Sequence, residues 1–346
     1  MFEKTEKVHQ YIERNSKQIK TESLICDGII NRIYSTTRER TSWLLDALTS
    51  SRISSLLGYL NYDCTMRLSS TGVKKLAEKL GIDLFECVDS PNVLNTHRKI
   101  FERKIRYWEV RPLPDEHSCV VSPADSKMLA GSFSRQHILF IKEKFFDFKE
   151  LISDRSLWDH RTRWIDEFRD GDFAVFRLTP EKYHYNHTPV AGKVLDIYEI
   201  TGRYHSCNPG AVIEVASPYS KNKRVVTVID TDVRGGTGIG LVAMIEIVAL
   251  MIGDIVQSYS EDRYDNPSEI RPGMFLKRGR PKSLFRPGSS VDVLIFQKDR
   301  ISFSEDILQN LHHPRACSRF SAGFGKRLVE TEVAVRSKVI KRRKEV

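Results

Sequence analysis

The chain has 346 residues, 40% of them apolar and 29% charged, the balance of a soluble folded protein with enough chain for one large domain or two ordinary ones. No apolar run reaches the roughly 18–20 residues of a membrane-spanning helix, and the nearest candidate, Leu241 to Val256, carries Glu246 and Asp254. The net charge of +10 asks for an anionic partner. No nucleic-acid signature accompanies it, so an anionic membrane surface is the expected partner, with a merely solvated basic surface as the bland alternative.

The N-terminal stretch Met1-Phe2-Glu3-Lys4-Thr5-Glu6-Lys7 has no apolar signal region, so export by that route is not expected. Residues 1 to about 110 read mainly as helix. In Ser69 to Gly81 the apolar Val73, Leu76, Ala77 and Leu80 fall at helical spacing, with a Ser/Thr cluster to cap the start and Gly81 to stop the end. Thr41 to Leu60 shows a looser version of the same pattern.

From Cys119 onward the pattern changes to short strands between turn residues. The candidates are 137–141, 172–178, 193–200, 211–216, 224–233, 241–252 and 290–297. The expected fold is α+β: a helical N-terminal region over 1–112, then a β-rich, sandwich-like catalytic domain over 113–346. The cysteines Cys26, Cys64, Cys87, Cys119, Cys207 and Cys317 are scattered and never spaced as Cys-x-x-Cys. That spacing supports neither a disulfide framework nor a structural zinc site, and a reducing compartment is expected. Two basic clusters stand out, Arg271 to Arg286 and Lys341 to Lys344; either suits anionic headgroups, and the second also reads as a frayed solvated end.

Three stretches carry candidate chemistry. They are Val121-Ser122-Pro123-Ala124-Asp125-Ser126-Lys127, the segment Leu178 to Lys193 containing Tyr183-His184-Tyr185-Asn186-His187, and Gly202 to Pro209. After them comes Arg286-Pro287-Gly288-Ser289-Ser290, directly before the apolar run Val291 to Phe296. Alone, Gly-Ser there is a turn entering a buried strand. Beside an aspartate and histidines it also reads as a self-cleavage site, because serine attacks an amide only when a base takes its proton. His184-x-x-His187 offers a competing metal-site reading, for which no further ligand is nominated. The loop Arg234 to Gly240 has neither P-loop nor dinucleotide spacing and reads as a tight turn between strands.

In order and spacing these motifs, with Phe101-Glu102-Arg103 and Arg111-Pro112 ahead of them, resemble the phosphatidylserine decarboxylase family of pyruvoyl-dependent enzymes from about Gly81 to Val335. The resemblance implies that Asp125, His187 and Ser289 form a self-processing triad. Ser289 would attack the Gly288 carbonyl; β-elimination from the resulting ester would free the Gly288 carboxylate and leave dehydroalanine, which would tautomerise and hydrolyse to a pyruvoyl group at residue 289 with loss of ammonia. That covalent cofactor would take the amine of phosphatidylserine as a Schiff base and decarboxylate it to phosphatidylethanolamine, with His184 returning the proton. It further implies a cytoplasmic, peripherally membrane-associated enzyme, a homodimer of cleaved protomers, and no metal. Tyr183 reads as core packing or a pocket wall. The sequence departs from the family at Ser290, Pro287, Ser126 and Ala191, and at Lys182, Tyr185 and Asn186. A pyruvoyl enzyme acting on a soluble amino acid, or a lipid-binding homologue that no longer cuts itself, are the alternatives.

Overall fold

Runs rich in β-branched and aromatic residues become strands, and those with apolar side chains on both faces lie at the centre of the sheet. The computed structural model describes residues 8–23, 67–133, 147–153, 162–214, 218–249, 254–288, 290–325 and 327–343. Its strands are, in chain order, β1 Gln10–Glu13, β2 Gln18–Thr21, β3 Cys119–Val121, β4 Ser126–Ser132, β5 Asp172–Leu178, β6 Tyr185–His187, β7 Gly192–Ile200 and β8 Arg224–Asp230. They continue as β9 Leu241–Val248, β10 Ile255–Gln257, β11 Phe275–Leu276, β12 Pro281–Phe285, β13 Ser290–Phe296, β14 Ile301–Phe303, β15 Glu330–Val333 and β16 Lys338–Arg342.

Ten strands form one sheet in the order β11-β7-β8-β9-β13-β5-β4-β15-β1-β2. Its neighbours pair antiparallel except β1 with β15, which run parallel. Alternation along the central strands separates two cores. Val175, Ala243, Ile245, Ile247, Val291, Val293 and Ile295 pack against Leu151, Trp164, Val212 and Phe320 of short helices and against Phe168 just past one of them. On the other face Ala174, Phe176, Met244, Leu294 and Phe296 meet Val120, Ile301, Val339 and Ile340 of the small sheet β14-β16-β3. A second small sheet, β10-β12-β6, covers the same face through Ile255 and Phe285, which pack on Leu178 and Val248. The class is α+β.

The helix expected after Ser69 spans Ser70–Leu80. Ser69 accepts a hydrogen bond from the Gly72 N–H, and Gly81, at φ 69°, closes the end with its N–H on the Ala77 and Glu78 carbonyls. The rest of the N-terminal reading needs correction. Residues 10–21 form the hairpin β1–β2 at the sheet edge rather than helix, because β15 supplies β1 with a partner far along the chain. The expected helix over 41–60 and strand over 137–141 lie outside the described residues. The strand expected from Ala211 is instead a helix, Pro209–Glu214. Asn208 accepts from the Gly210 N–H and proline takes the first helical position, which overrides the β-branched Val212 and Ile213. The basic C-terminal stretch is strand through Arg342, paired with β14 and β3.

Candidate functional site

Three central strands bring the chemistry-bearing segments to one end of the large sheet. β4 begins at Ser126, next to Asp125; β5, antiparallel to it, ends at Leu178; and β13, antiparallel to β5, begins at Ser290, opposite Leu178. The chain leaving β5 returns as β6, which pairs with β12, the strand leading into Gly288. The His187 N–H donates to the Pro123 carbonyl at 2.7 Å, and the Phe285 N–H to the His184 carbonyl at 3.0 Å. The backbone thus ties each histidine to one of the other two segments.

Asp125 is buried and its carboxylate is fixed by three donors. Arg111 reaches it with Nε at 3.2 Å and Nη2 at 3.0 Å, and the Val335 N–H lies at 2.7 Å. Burial alone would push this carboxyl up; the Arg111 charge and hydrogen bonds outweigh it and hold Asp125 below the ordinary carboxylate range. Glu86 holds the other side of the same guanidinium at 2.9 and 3.0 Å. Asp125 and Arg111 line a cleft of about 760 Å³ with Arg14, Lys182 and Glu332.

His187 is fully buried. One ring nitrogen, Nδ1, lies 3.0 Å from the Gly279 carbonyl, and the other, Nε2, lies 3.0 Å from the Tyr183 hydroxyl. Both nitrogens are therefore engaged, and neither bond is to Asp125, whose charge acts on the ring through space. Burial first, then Arg336 and Arg280, lower the imidazole to about 3, with the Gly279 carbonyl and Asp125 opposing. The ring is a neutral base at pH 7. Gly279, at φ 72°, sits in the left-handed region that favours glycine, and a Cβ there would press on Leu113 Cδ1 at 2.6 Å.

His184 precedes β6 and its ring stacks on Phe101, centroids 3.6 Å apart and 24° between planes. Burial, then the Arg103 charge, hold it well below the usual imidazole range, against a weak contact from the Lys182 backbone. Neither ring nitrogen has a well-formed partner. A bulge accompanies this pair of histidines, but it lies on the facing strand: Pro281 opposes His187 and Ser283 opposes Asn186, leaving Lys282 as the extra residue.

Gly288 has φ 151°, on the side of the map open to glycine. Ser289, the expected nucleophile, lies outside the described residues. Ser290 is buried, and its hydroxyl has no partner among the described residues. Two residues on, Asp292 faces Glu246 of β9 across the sheet. Glu246 takes hydrogen bonds from Lys282 Nζ (2.7 Å), Gln257 (3.0 Å), Asn186 (3.3 Å) and the Ser283 hydroxyl, whereas both Asp292 carboxyl oxygens lack partners. Burial, then Glu246, raise Asp292 well above the carboxylate range despite Lys282.

The sequence reading missed Arg111 as the partner of Asp125, the hydroxyl role of Tyr183, and Gly279 and Tyr264 altogether. The four-residue spacing from Tyr183 to His187 was the one usable signal. The loop 271–286 is also less basic in effect than it reads. Arg278 is buried on the carbonyls of Pro114, Glu116 and Cys119, and Lys282 is buried on Glu246, while Arg271 and Lys277 stay exposed. Among the described residues one cluster, His9, Glu22 and Glu330, has metal-ligand character. Arg177 already bridges both carboxylates at 2.6 Å, so the group is a buried ion network.

A family model described as phosphatidylserine decarboxylase matches residues 98–321. The chain is similar to proteins named phosphatidylserine decarboxylase proenzyme from Ruminiclostridium cellulolyticum (29% identity over 86% of this chain and 91% of that one). It is likewise similar to those from Clostridium tetani (27%, 86% and 91%) and Fusobacterium nucleatum (28%, 87% and 91%).

Proposed function

Since the chain belongs to the phosphatidylserine decarboxylase family, we propose that it cuts itself between Gly288 and Ser289. With the pyruvoyl group so formed at residue 289 it converts phosphatidylserine to phosphatidylethanolamine and carbon dioxide. The observation that carries this reading is the meeting of the Asp125, His184–His187 and Gly288–Ser290 segments at one end of three adjacent strands. In self-cleavage His187, neutral at rest, takes the proton of the Ser289 hydroxyl as its oxygen bonds to the Gly288 carbonyl carbon. The proton then goes to the Ser289 nitrogen as the peptide bond breaks. Asp125, kept ionised by Arg111, stabilises the transient imidazolium through space.

Polar atoms beside the cut fit a small keto group. Among the described residues the buried Ser290 hydroxyl and both nitrogens of His184 have no well-formed partners, a costly state unless a further polar group completes the site. A pyruvoyl group there would supply an electrophilic carbonyl for the substrate amine and a sink for the electron pair released with carbon dioxide. His184 is suited to take a proton from the substrate ammonium, which must lose one before it can condense, and to return it to the carbon that carbon dioxide leaves.

A lipid substrate has to be reached at a bilayer, and exposed apolar and lysine side chains in the unit beside the site support that. Phe85 is 87% exposed, with Val88 and Val93 exposed on the same loop. This loop shares a small core with the helix Ser70–Leu80, which carries the exposed Lys74, Lys75 and Lys79. The same unit touches the site through Phe101 on His184 and through Glu86 on Arg111.

Intact mass measured under denaturing conditions tests the reading. Two fragments split after Gly288 are expected, the smaller with a blocked N-terminus, and Ser289→Ala should give one uncut, inactive chain. His184→Ala should still cut itself yet fail to turn over phosphatidylserine. An active preparation containing only uncut, unblocked chain would overturn the proposal.

A further inference from the structure

Arg103, which closes the Phe101-Glu102-Arg103 motif, has no part in the chemistry above, and its surroundings are unusual for a charge. It is 6% exposed. Its Nη1 donates to the Ile100 carbonyl at 3.1 Å, at the end of the helix His97–Phe101, and its Nη2 to the Glu181 carbonyl at 2.7 Å, in the turn leading to His184. Both acceptors are neutral, so these bonds fix the guanidinium in place without compensating its charge. A guanidinium carries five N–H groups; with two spent on carbonyls, three are left without an acceptor among the described residues. The carboxylates that act on Arg103 through space are Asp125, Glu86 and Glu181. None is in ion-pair contact with it: Asp125 and Glu86 both close on Arg111, and Glu181 takes the Thr179 hydroxyl.

The position of this cation narrows the choice of anion. Phe101, two residues earlier, stacks on the His184 ring, and the Arg103 charge is the one that bears on that ring, next after burial. Arg336 and Arg280 bear on His187 instead. Under the proposed function His184 works at the substrate carbon that loses carbon dioxide. In phosphatidylserine that carbon holds the amine and the carboxylate, and the phosphorus is three bonds away, through the methylene carbon and the ester oxygen. Both anions are therefore within a short headgroup's reach of His184. A guanidinium on the carboxylate would hold the charge that has to leave, favouring the bound substrate over the transition state. The phosphodiester stays charged throughout, and its two free oxygens suit an arginine fork.

We propose that Arg103 binds the phosphodiester of the substrate headgroup and so makes a phospholipid the preferred substrate over a free amino acid. The proposal rests on the reading of the chain as a decarboxylase whose His184 serves the reacting carbon. His184 is closed to solvent with Phe101 over its ring; the headgroup enters as Phe101 turns aside, and the same segment offers it Arg103.

A soluble substrate separates headgroup binding from membrane binding. Dihexanoyl phosphatidylserine is given to the mature natural chain, Arg103→Met and Arg103→Lys, and release of carbon dioxide is followed. For Arg103→Met, KM raised about tenfold to a hundredfold is expected, the size of a lost pair of charge-assisted hydrogen bonds, with kcat changed much less. The preference for this lipid over free L-serine, as a ratio of kcat/KM, should fall by a similar factor. Arg103→Lys keeps the charge without the fork and should lie between. Calorimetric titration with dihexanoyl phosphatidylglycerol, which has the phosphodiester but neither amine nor carboxylate, needs no turnover. It should bind the natural chain and bind Arg103→Met more weakly by the same factor. An unchanged KM, a kcat that falls while KM stays, or phosphatidylglycerol that binds both chains alike or neither would overturn the proposal. So would a loss of thermal stability alone, the mark of a merely structural arginine. If the natural chain releases no carbon dioxide from phosphatidylserine, the proposed function itself fails, while the titration still reads Arg103. If it does release it and Arg103→Met matches it, only the present inference fails. Should Arg103→Met not fold or not cut itself, Arg103→Lys carries the test, a raised KM supporting the proposal and a natural one overturning it.

Discussion

Asp292 and the two histidines of the site pull the molecule's pH dependence in opposite directions. Burial and Glu246 raise the Asp292 carboxyl well above the value of an unfolded aspartate. Folding therefore binds a proton there. The favourable contribution is complete below the unfolded value near ~3.9 and is lost as pH rises toward the folded value, by at most about 1.4 kcal/mol per pH unit. His187, lowered to about 3, works the other way: its neutral form is favoured in the fold, so stability holds above the unfolded value near ~6.5 and falls as pH drops toward 3. Asp292→Asn, which keeps the shape and removes the titration, should raise stability at pH 8 more than at pH 4. Urea unfolding of the uncut Ser289→Ala chain measures this, and an unchanged pH slope would mean that the carboxyl is ionised in the fold. Nothing in Ser290-Val291-Asp292-Val293 announces such a group; the alternation puts Asp292 inward, and only the pairing with Glu246 and the cover of Lys282 make it a buried acid.

The elements most legible in the sequence were those whose own residues decide their fate. β5 and β13 are apolar on both faces and appear almost residue for residue where expected, and the helix Ser70–Leu80 has its cap, stripe and stop in thirteen consecutive positions. The hairpin β1–β2 was illegible because its reason lies elsewhere. Ile12 is its one fully apolar buried residue, and what anchors it is a network of His9, Glu22, Lys127, Arg177 and Glu330. Charged residues read as surface until partners far along the chain bring them inside; Tyr264 was missed because its partners Tyr183 and Ile105 are likewise distant in sequence. Breaking such a network from its centre should be costly. Arg177→Met leaves the buried carboxylates of Glu22 and Glu330 with only Lys127 and His9 against them and is expected to destabilise the uncut chain by about 3–5 kcal/mol. Ser69→Ala removes one helix cap and should cost only about 1 kcal/mol. Chemical denaturation of both variants gives the comparison, and equal losses would mean that the edge hairpin is not held by its charges.

For the whole molecule, the net charge of +10 proved a poor guide to where anions would bind, since Arg278 and Lys282 spend theirs on internal carbonyls and Glu246. Among the described residues no helix is long and apolar enough to cross a membrane. The loop carrying Phe85, with the adjoining helix Ser70–Leu80, is the part expected to meet lipid. Sedimentation with phosphatidylserine-containing vesicles should weaken steeply from about 0.05 to about 0.5 M salt as charges are screened. It should weaken further in Phe85→Ser; salt-independent binding that Phe85→Ser leaves intact would assign contact to another face. The position of β13 has a further consequence. It is zipped on one side to β9 and on the other to β5 along all seven residues, and β15, farther along the same C-terminal stretch, is clasped between β4 and β1. Scission ahead of Ser289 would thus yield two polypeptides braided into one body, with the shorter unable to diffuse away while the sheet is intact. Maturation would then be a one-way event: once melted apart, the pieces would have to find each other as strangers, and the enzyme would last only as long as its first folding does.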